Sequence, residues 1–87
     1  MPDEQRIPKR NDLTLAQRAI VLQVLRDDHP ERWTRAELEV EIDDIEQQAL
    51  VGALAILAIE GVVIFDDKEI WASQCARHLD ALGLVTI

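Results

Sequence analysis

The stretch Ala49 to Ile59, ALVGALAILAI, runs eleven residues without a charge and is followed at once by Glu60, Gly61 and Val62-Val63-Ile64-Phe65. No other feature limits the fold so strongly. A helix that crosses a bilayer needs about 20 apolar residues, so this run is too short to span and reads as a helix buried in a core. Glycine tolerates the left-handed backbone in which many helices stop, so Gly61 is expected to end it. The β-branched run that follows favours strand. The chain must therefore wrap its other elements around a short, very apolar helix.

It has 87 residues with which to do so. That is one domain, and a domain of this size buries only about 60–65% of its unfolded surface. Hydrophobic residues make up 48% of the chain, with Trp33, Phe65 and Trp71 the only aromatics. Such a core is built from Leu, Ile, Val and Ala, which suits helices.

Local signals place the remaining elements. Residues 1–11 are polar, carry Pro2 and Pro8, and read as a flexible arm ahead of a domain over 12–87. Asp12 or Thr14 is expected to cap a first helix that runs to about Asp28, where His29-Pro30 stops it. An imidazolium at His29 would also suit the negative end of that helix. In ERWTRAELEVEI, Thr34 and Glu37 have the spacing of a capping box, with Trp33 and Leu38 at the positions of a hydrophobic staple. They start a short second helix that ends near Ile42. Asp43 with Glu46, or Asp44 with Gln47, is expected to cap the third helix, which covers about 44 to 60. VVIF and IWAS, joined by the polar Asp66-Asp67-Lys68-Glu69, form a hairpin. Ser73 caps a last helix, QCARHLDAL, which Gly83 ends, leaving LVTI as a terminal strand or tail.

The order helix, helix, helix, hairpin, helix is that of a mainly α winged helix-turn-helix, with the hairpin as its wing. TLAQRAIVLQVLRDDHPERWTRAELEVEI is similar to the first two helices of winged helix-turn-helix domains. ALAILAIEGVVIFDDKEIWAS resembles their Ala-Leu-x-x-Leu-x-x-x-Gly-Val-Val close of helix three running into the wing. The resemblance covers roughly residues 13–73, and the whole chain also resembles small actinobacterial winged-helix proteins. It implies the fold, and it implies DNA binding as the commonest use of that fold. A fold does not fix a function.

Charge and helix faces argue for another use. The net charge is −8, from seventeen acids against nine bases, a field that repels phosphates and draws basic partners. On helix three, Leu50, Ala53, Leu54 and Leu57 form one inward stripe at helical spacing. The outward face holds Gln47, Gln48, Val51, Gly52, Ala55 and Ile59, and no Lys or Arg occurs from Ile45 to Glu60. A DNA reader would place Arg, Lys, Asn or Gln there, and Asp43, Asp44 and Glu46 at its start would face phosphates. Helix one is apolar on nearly every side, including Val21 and Leu25, so a second surface is expected to cover it. The expected function is therefore a non-catalytic protein-interaction and self-association module, regulatory in role. Val51, Gly52, Ala55, Ile59, Val21 and Leu25 form its interface, as a homodimer or with another protein. In the alternative, a last helix packed through Cys75, Ala76, Leu79 and Leu82 covers helix one within a monomer.

The competing function is a DNA-binding transcriptional regulator that contacts phosphates through Arg6, Lys9 and Arg10 of the arm, Arg32 and Arg35 of helix two, and Lys68 of the wing. A mobile basic arm can enter a minor groove. However, seven acids between Glu31 and Glu46 surround the two helix-two arginines.

Signals for chemistry are weak. Cys75 and His78 lie three apart on a helix, but zinc needs three or four ligands, so a buried thiol beside a surface histidine is the expected arrangement. Asp66, Asp67 and Glu69 lack the spacing of a calcium loop. No phosphate-binding loop, dinucleotide motif or nucleophile elbow is present. Neither an enzyme nor a cofactor or metal is expected. A lone cysteine fits a reducing compartment and the amino terminus carries no apolar leader core, so a cytoplasmic location is expected.

Overall fold

Ala16, Ile20 and Val24 recur every four residues on one face of α1 (Arg10–Val24), and all three are buried. Against them packs α3 (Gln47–Ile59), whose inward stripe is Ala49, Leu50, Ala53, Leu54 and Leu57. The two helices come close at Gly52. A Cβ added there would stand 3.0 Å from Leu13 Cδ2 of α1. The computed structural model of the chain describes residues 10–30 and 32–84. The remaining elements are β1 (Trp33–Thr34), α2 (Arg35–Glu41), β2 (Val63–Asp66), β3 (Glu69–Ala72) and α4 (Gln74–Ala81). Over the described residues the fold is four helices with a small antiparallel sheet.

The capping box at α2 forms in full. Thr34 Oγ1 accepts from the Glu37 N–H at 3.1 Å, and Glu37 Oε1 accepts from the Thr34 N–H at 2.8 Å. Trp33 and Leu38, which flank it, are both buried. Thr34→Ala removes one of these bonds and is expected to cost about 0.5–2 kcal/mol, read from the urea midpoint at constant slope.

Helix ends follow their glycines. Gly61, at φ 80°, closes α3 with bonds from its own N–H to the Ala58 carbonyl and from the Val62 N–H to the Leu57 carbonyl. Gly83, at φ 76°, closes α4 with the matching pair to Asp80 and Leu79. Both pairs have the hydrogen-bond pattern of a Schellman stop.

The sheet has the order β1-β3-β2. Trp33 lies opposite Ile70, and Val63 lies opposite Ala72; these four side chains are buried and form the sheet side of the core. The hairpin turn is tighter than four residues. Asp66 and Glu69 pair within the strands, so Asp67 (φ 57°) and Lys68 alone form the loop, and Asp is among the few non-glycine residues that accept that conformation.

Several sequence expectations need correcting. Helix one begins at Arg10 and ends at Val24, so neither Asp12 nor Thr14 is its cap; Asp12 lies in the first turn, where its charge suits the helix dipole. The chain leaves α1 well before His29-Pro30. Helix three starts at Gln47 with Glu46 as N-cap and no side-chain cap bond, so neither acidic capping box forms. Its first turn is fixed instead by the bond from the Leu50 N–H to the Glu46 carbonyl, at 3.0 Å. On α4 only Ala76 is buried; Cys75, Leu79 and Leu82 are exposed, so α4 does not cover α1 through them. Two residues of strand at Trp33–Thr34 escaped the sequence reading because so short a strand has no periodicity. The expected terminal segment LVTI lies almost wholly outside the described residues, as does the arm before Arg10.

Candidate interaction surface

The outward side of α3 stands open to solvent along the helix. Val51 is 41% exposed and Ile59 is 82% exposed, with Ala55 and Gln48 also open to solvent. These residues recur every three or four positions, so they form one stripe along the helix. Its first turn is preceded by the exposed acids Asp43, Asp44 and Glu46. Gly52 does not belong to the stripe; it is half-buried under Leu13. Val21 and Leu25 are partly buried and pack on the core rather than standing free. The solvent-facing apolar residues of α1 are Leu15 and Leu22, which helical projection alone could not separate from their neighbours.

The cations proposed for phosphate contacts are engaged or lie elsewhere. Arg32 donates to Glu69 Oε1 at 3.0 Å, and its guanidinium stands 4.0 Å from the centre of the Trp71 ring. Arg35 bonds Glu39 at 3.0 Å, one helical turn along α2. Lys68 is at the exposed hairpin turn. Arg6 and Lys9 fall outside the described residues, and Arg10 is described only as the first residue of α1.

Sequence reading missed a second feature, around Trp33. This indole is 1% exposed. His29 stacks on it with ring centres 3.5 Å apart and planes 9° from parallel. His29 Nδ1 is 2.7 Å from the Pro30 carbonyl oxygen, and Nε2 is 3.7 Å from Glu37 Oε2. Beside the pair opens a groove of about 310 Å³, lined by His29, Trp33, Ala36, Glu37, Val40 and Glu41. Arg26 reaches across from the end of α1, bonding Asp28 at 2.7 Å and Glu41 at 3.1 Å. The part of it legible in the sequence was the spacing Ala36/Glu37, Val40/Glu41, which puts these four residues on one side of α2.

Two carboxylates here are held below their usual range. The hydrogen bond from the Thr34 backbone N–H lowers Glu37, and the charge of His29 adds to it; the hydrogen bond from Arg26 lowers Asp28. A carboxylate more acidic in the folded chain than in the unfolded one adds stability above its unfolded value, and that stability is lost as pH falls through the folded value. The thermal midpoint is therefore expected to fall as pH drops below about 4.5 for Glu37 and about 3.8 for Asp28. Glu37→Gln should flatten the upper part of that decline in a melting series.

Among the described residues no group of three or more His, Cys, Asp or Glu is gathered as a metal site would require. Cys75 is exposed, not buried as expected. No helix among the described residues is long and apolar enough to cross a membrane. Comparisons with protein-family models, with curated proteins and with solved structures return no match to the chain.

Proposed function

We propose that the chain is a winged-helix protein-interaction module that self-associates, works without catalysis, and does not read DNA through α3. The element order and the hairpin directly after α3 support the fold name. One observation carries the function: beyond Gln47 and Gln48 of its first turn, the face of α3 that a DNA reader would turn to the bases is apolar, and it is free of cations throughout and preceded by acids. Neutralising phosphates supplies most non-specific DNA affinity, and Arg32, just ahead of β1, and Arg35, the first residue of α2, already bond Glu69 and Glu39. A small apolar stripe suits close approach to a polypeptide.

Sedimentation of the purified chain tests the reading, with a dimer expected at about 50 µM. A clean monomer there would overturn it. A gel shift on random duplex near 20 mM salt tests the regulator alternative, since such binding is strongest at low salt; no retardation is expected.

A further inference from the structure

Val51, Ala55 and Ile59 are too few to cover the ~800 Å² per partner of a standard interface, so self-association calls for a further contact. The groove beside Trp33 is built for one. Its wall on α2 is Ala36 and Val40, its other wall is the His29–Trp33 stack, and Val40 is 72% exposed. Three carboxylates stand at or near its rim, Asp28, Glu37 and Glu41, against the single guanidinium of Arg26. Glu41 Oε1 takes the Arg26 bond, while its Oε2 has no partner among the described residues. The groove thus asks for an apolar side chain flanked by positive charge.

The chain carries one such segment. Arg6-Ile7-Pro8-Lys9-Arg10 holds three of its nine Lys and Arg around an apolar centre. Pro8 biases this stretch toward extended backbone, so less order is lost on docking. The segment cannot reach the groove of its own chain. Arg26 ties the groove to the far end of α1, and α1 from Arg10 to Val24 is about 21 Å long. Ile7 stands three residues ahead of Arg10, a reach of about 10 Å even fully extended.

We propose that the groove lined by Trp33, Ala36 and Val40 takes residues 6–9 of a second copy. Ile7 enters between the walls, and Arg6 and Lys9 meet Glu37 and Glu41. This contact rests on the self-association reading and adds to the α3 face. Exchange in both directions closes a two-fold dimer. In a chain of net charge −8, it is also a contact between copies that their charges favour.

The test is fluorescence anisotropy of a labelled peptide with the sequence DEQRIPKRND, residues 3–12, titrated with the full chain near 50 mM salt. Saturable binding is expected, weakened at least about tenfold by Val40→Lys in the chain or Ile7→Asp in the peptide, and weakened again by about 500 mM salt through screening. Val51→Lys, on α3, should bind the peptide as the wild type does. Val40 is exposed, so its replacement leaves the core intact, which a melting curve verifies. In sedimentation, full chains carrying Ile7→Asp and full chains carrying Val40→Lys should associate more tightly when mixed than either does alone, because each supplies what the other lacks. No peptide binding by a wild type that sediments as a dimer, or binding that Val40→Lys leaves unchanged, overturns the arm contact and leaves the α3 reading standing. A wild type that stays monomeric overturns both, whatever the peptide does.

Discussion

Trp33→Ala is expected to lower the unfolding free energy by about 3–5 kcal/mol. The indole is 1% exposed and lies opposite Ile70 in the sheet. It directly precedes the Thr34 cap of α2 and carries the stacked ring of His29. Truncating a buried tryptophan costs about 3–5 kcal/mol, whereas a domain of this length has a total stability of roughly 4–13 kcal/mol. One substitution therefore removes a large share of the whole. Trp33 Nε1 is itself buried without a hydrogen-bond partner among the described residues, a group that costs about 1–3 kcal/mol. Trp33→Phe gives up packing volume but also removes that unpaired donor, so it should be much milder. Urea unfolding followed by the fluorescence of Trp71 measures both. A loss below about 1 kcal/mol for Trp33→Ala, far under the usual range, would mean that the sheet and α2 do not depend on this side chain.

Val51→Lys together with Ile59→Lys is expected to weaken self-association at least a hundredfold while leaving the melting temperature within a few degrees. Val51 is 41% and Ile59 82% exposed in the single chain, and the stem of a lysine can cover what the apolar side chain covered, so the fold is little disturbed. In a docked pair the same ammonium groups would have to leave water inside an apolar contact, which costs several kcal/mol when no partner charge is at hand. Sedimentation velocity across a concentration series reads the association, and a melting curve reads the fold. If the double variant associates as tightly as the wild type, α3 is not the docking face. If it fails to fold, the stripe belongs to the core and its exposure has been misjudged.

How much was legible in the sequence depended on whether each signal was local. The Thr34–Glu37 capping box, the Ser73 cap, the stops at Gly61 and Gly83 and the hairpin all depend on residues within a few positions of one another, and each is present. The inward stripe of α3 was readable because Leu50, Ala53, Leu54 and Leu57 repeat at helical spacing. Asp43 and Asp44 misled for the opposite reason. Several acids in a row each offer a plausible cap, and the helix starts after Glu46 with no side-chain cap bond. Gly52 could be placed on a helix but not assigned a neighbour, since its packing under Leu13 depends on how two helices cross. The groove at Trp33 joins a loop, a strand residue and one face of α2, with Arg26 arriving from α1, and no single stretch of sequence contains it.

The sequence by itself determined where α2 and α4 begin, where α3 and α4 stop and which face of α3 is greasy, because hydrogen bonds at caps and side-chain periodicity are properties of neighbouring residues. Only the tertiary structure decided which exposed apolar residues stay exposed, which arginines are already matched to acids, and that α4 leaves most of its apolar side uncovered. Those outcomes depend on distances between segments far apart in the chain, and such distances are set when the helices pack.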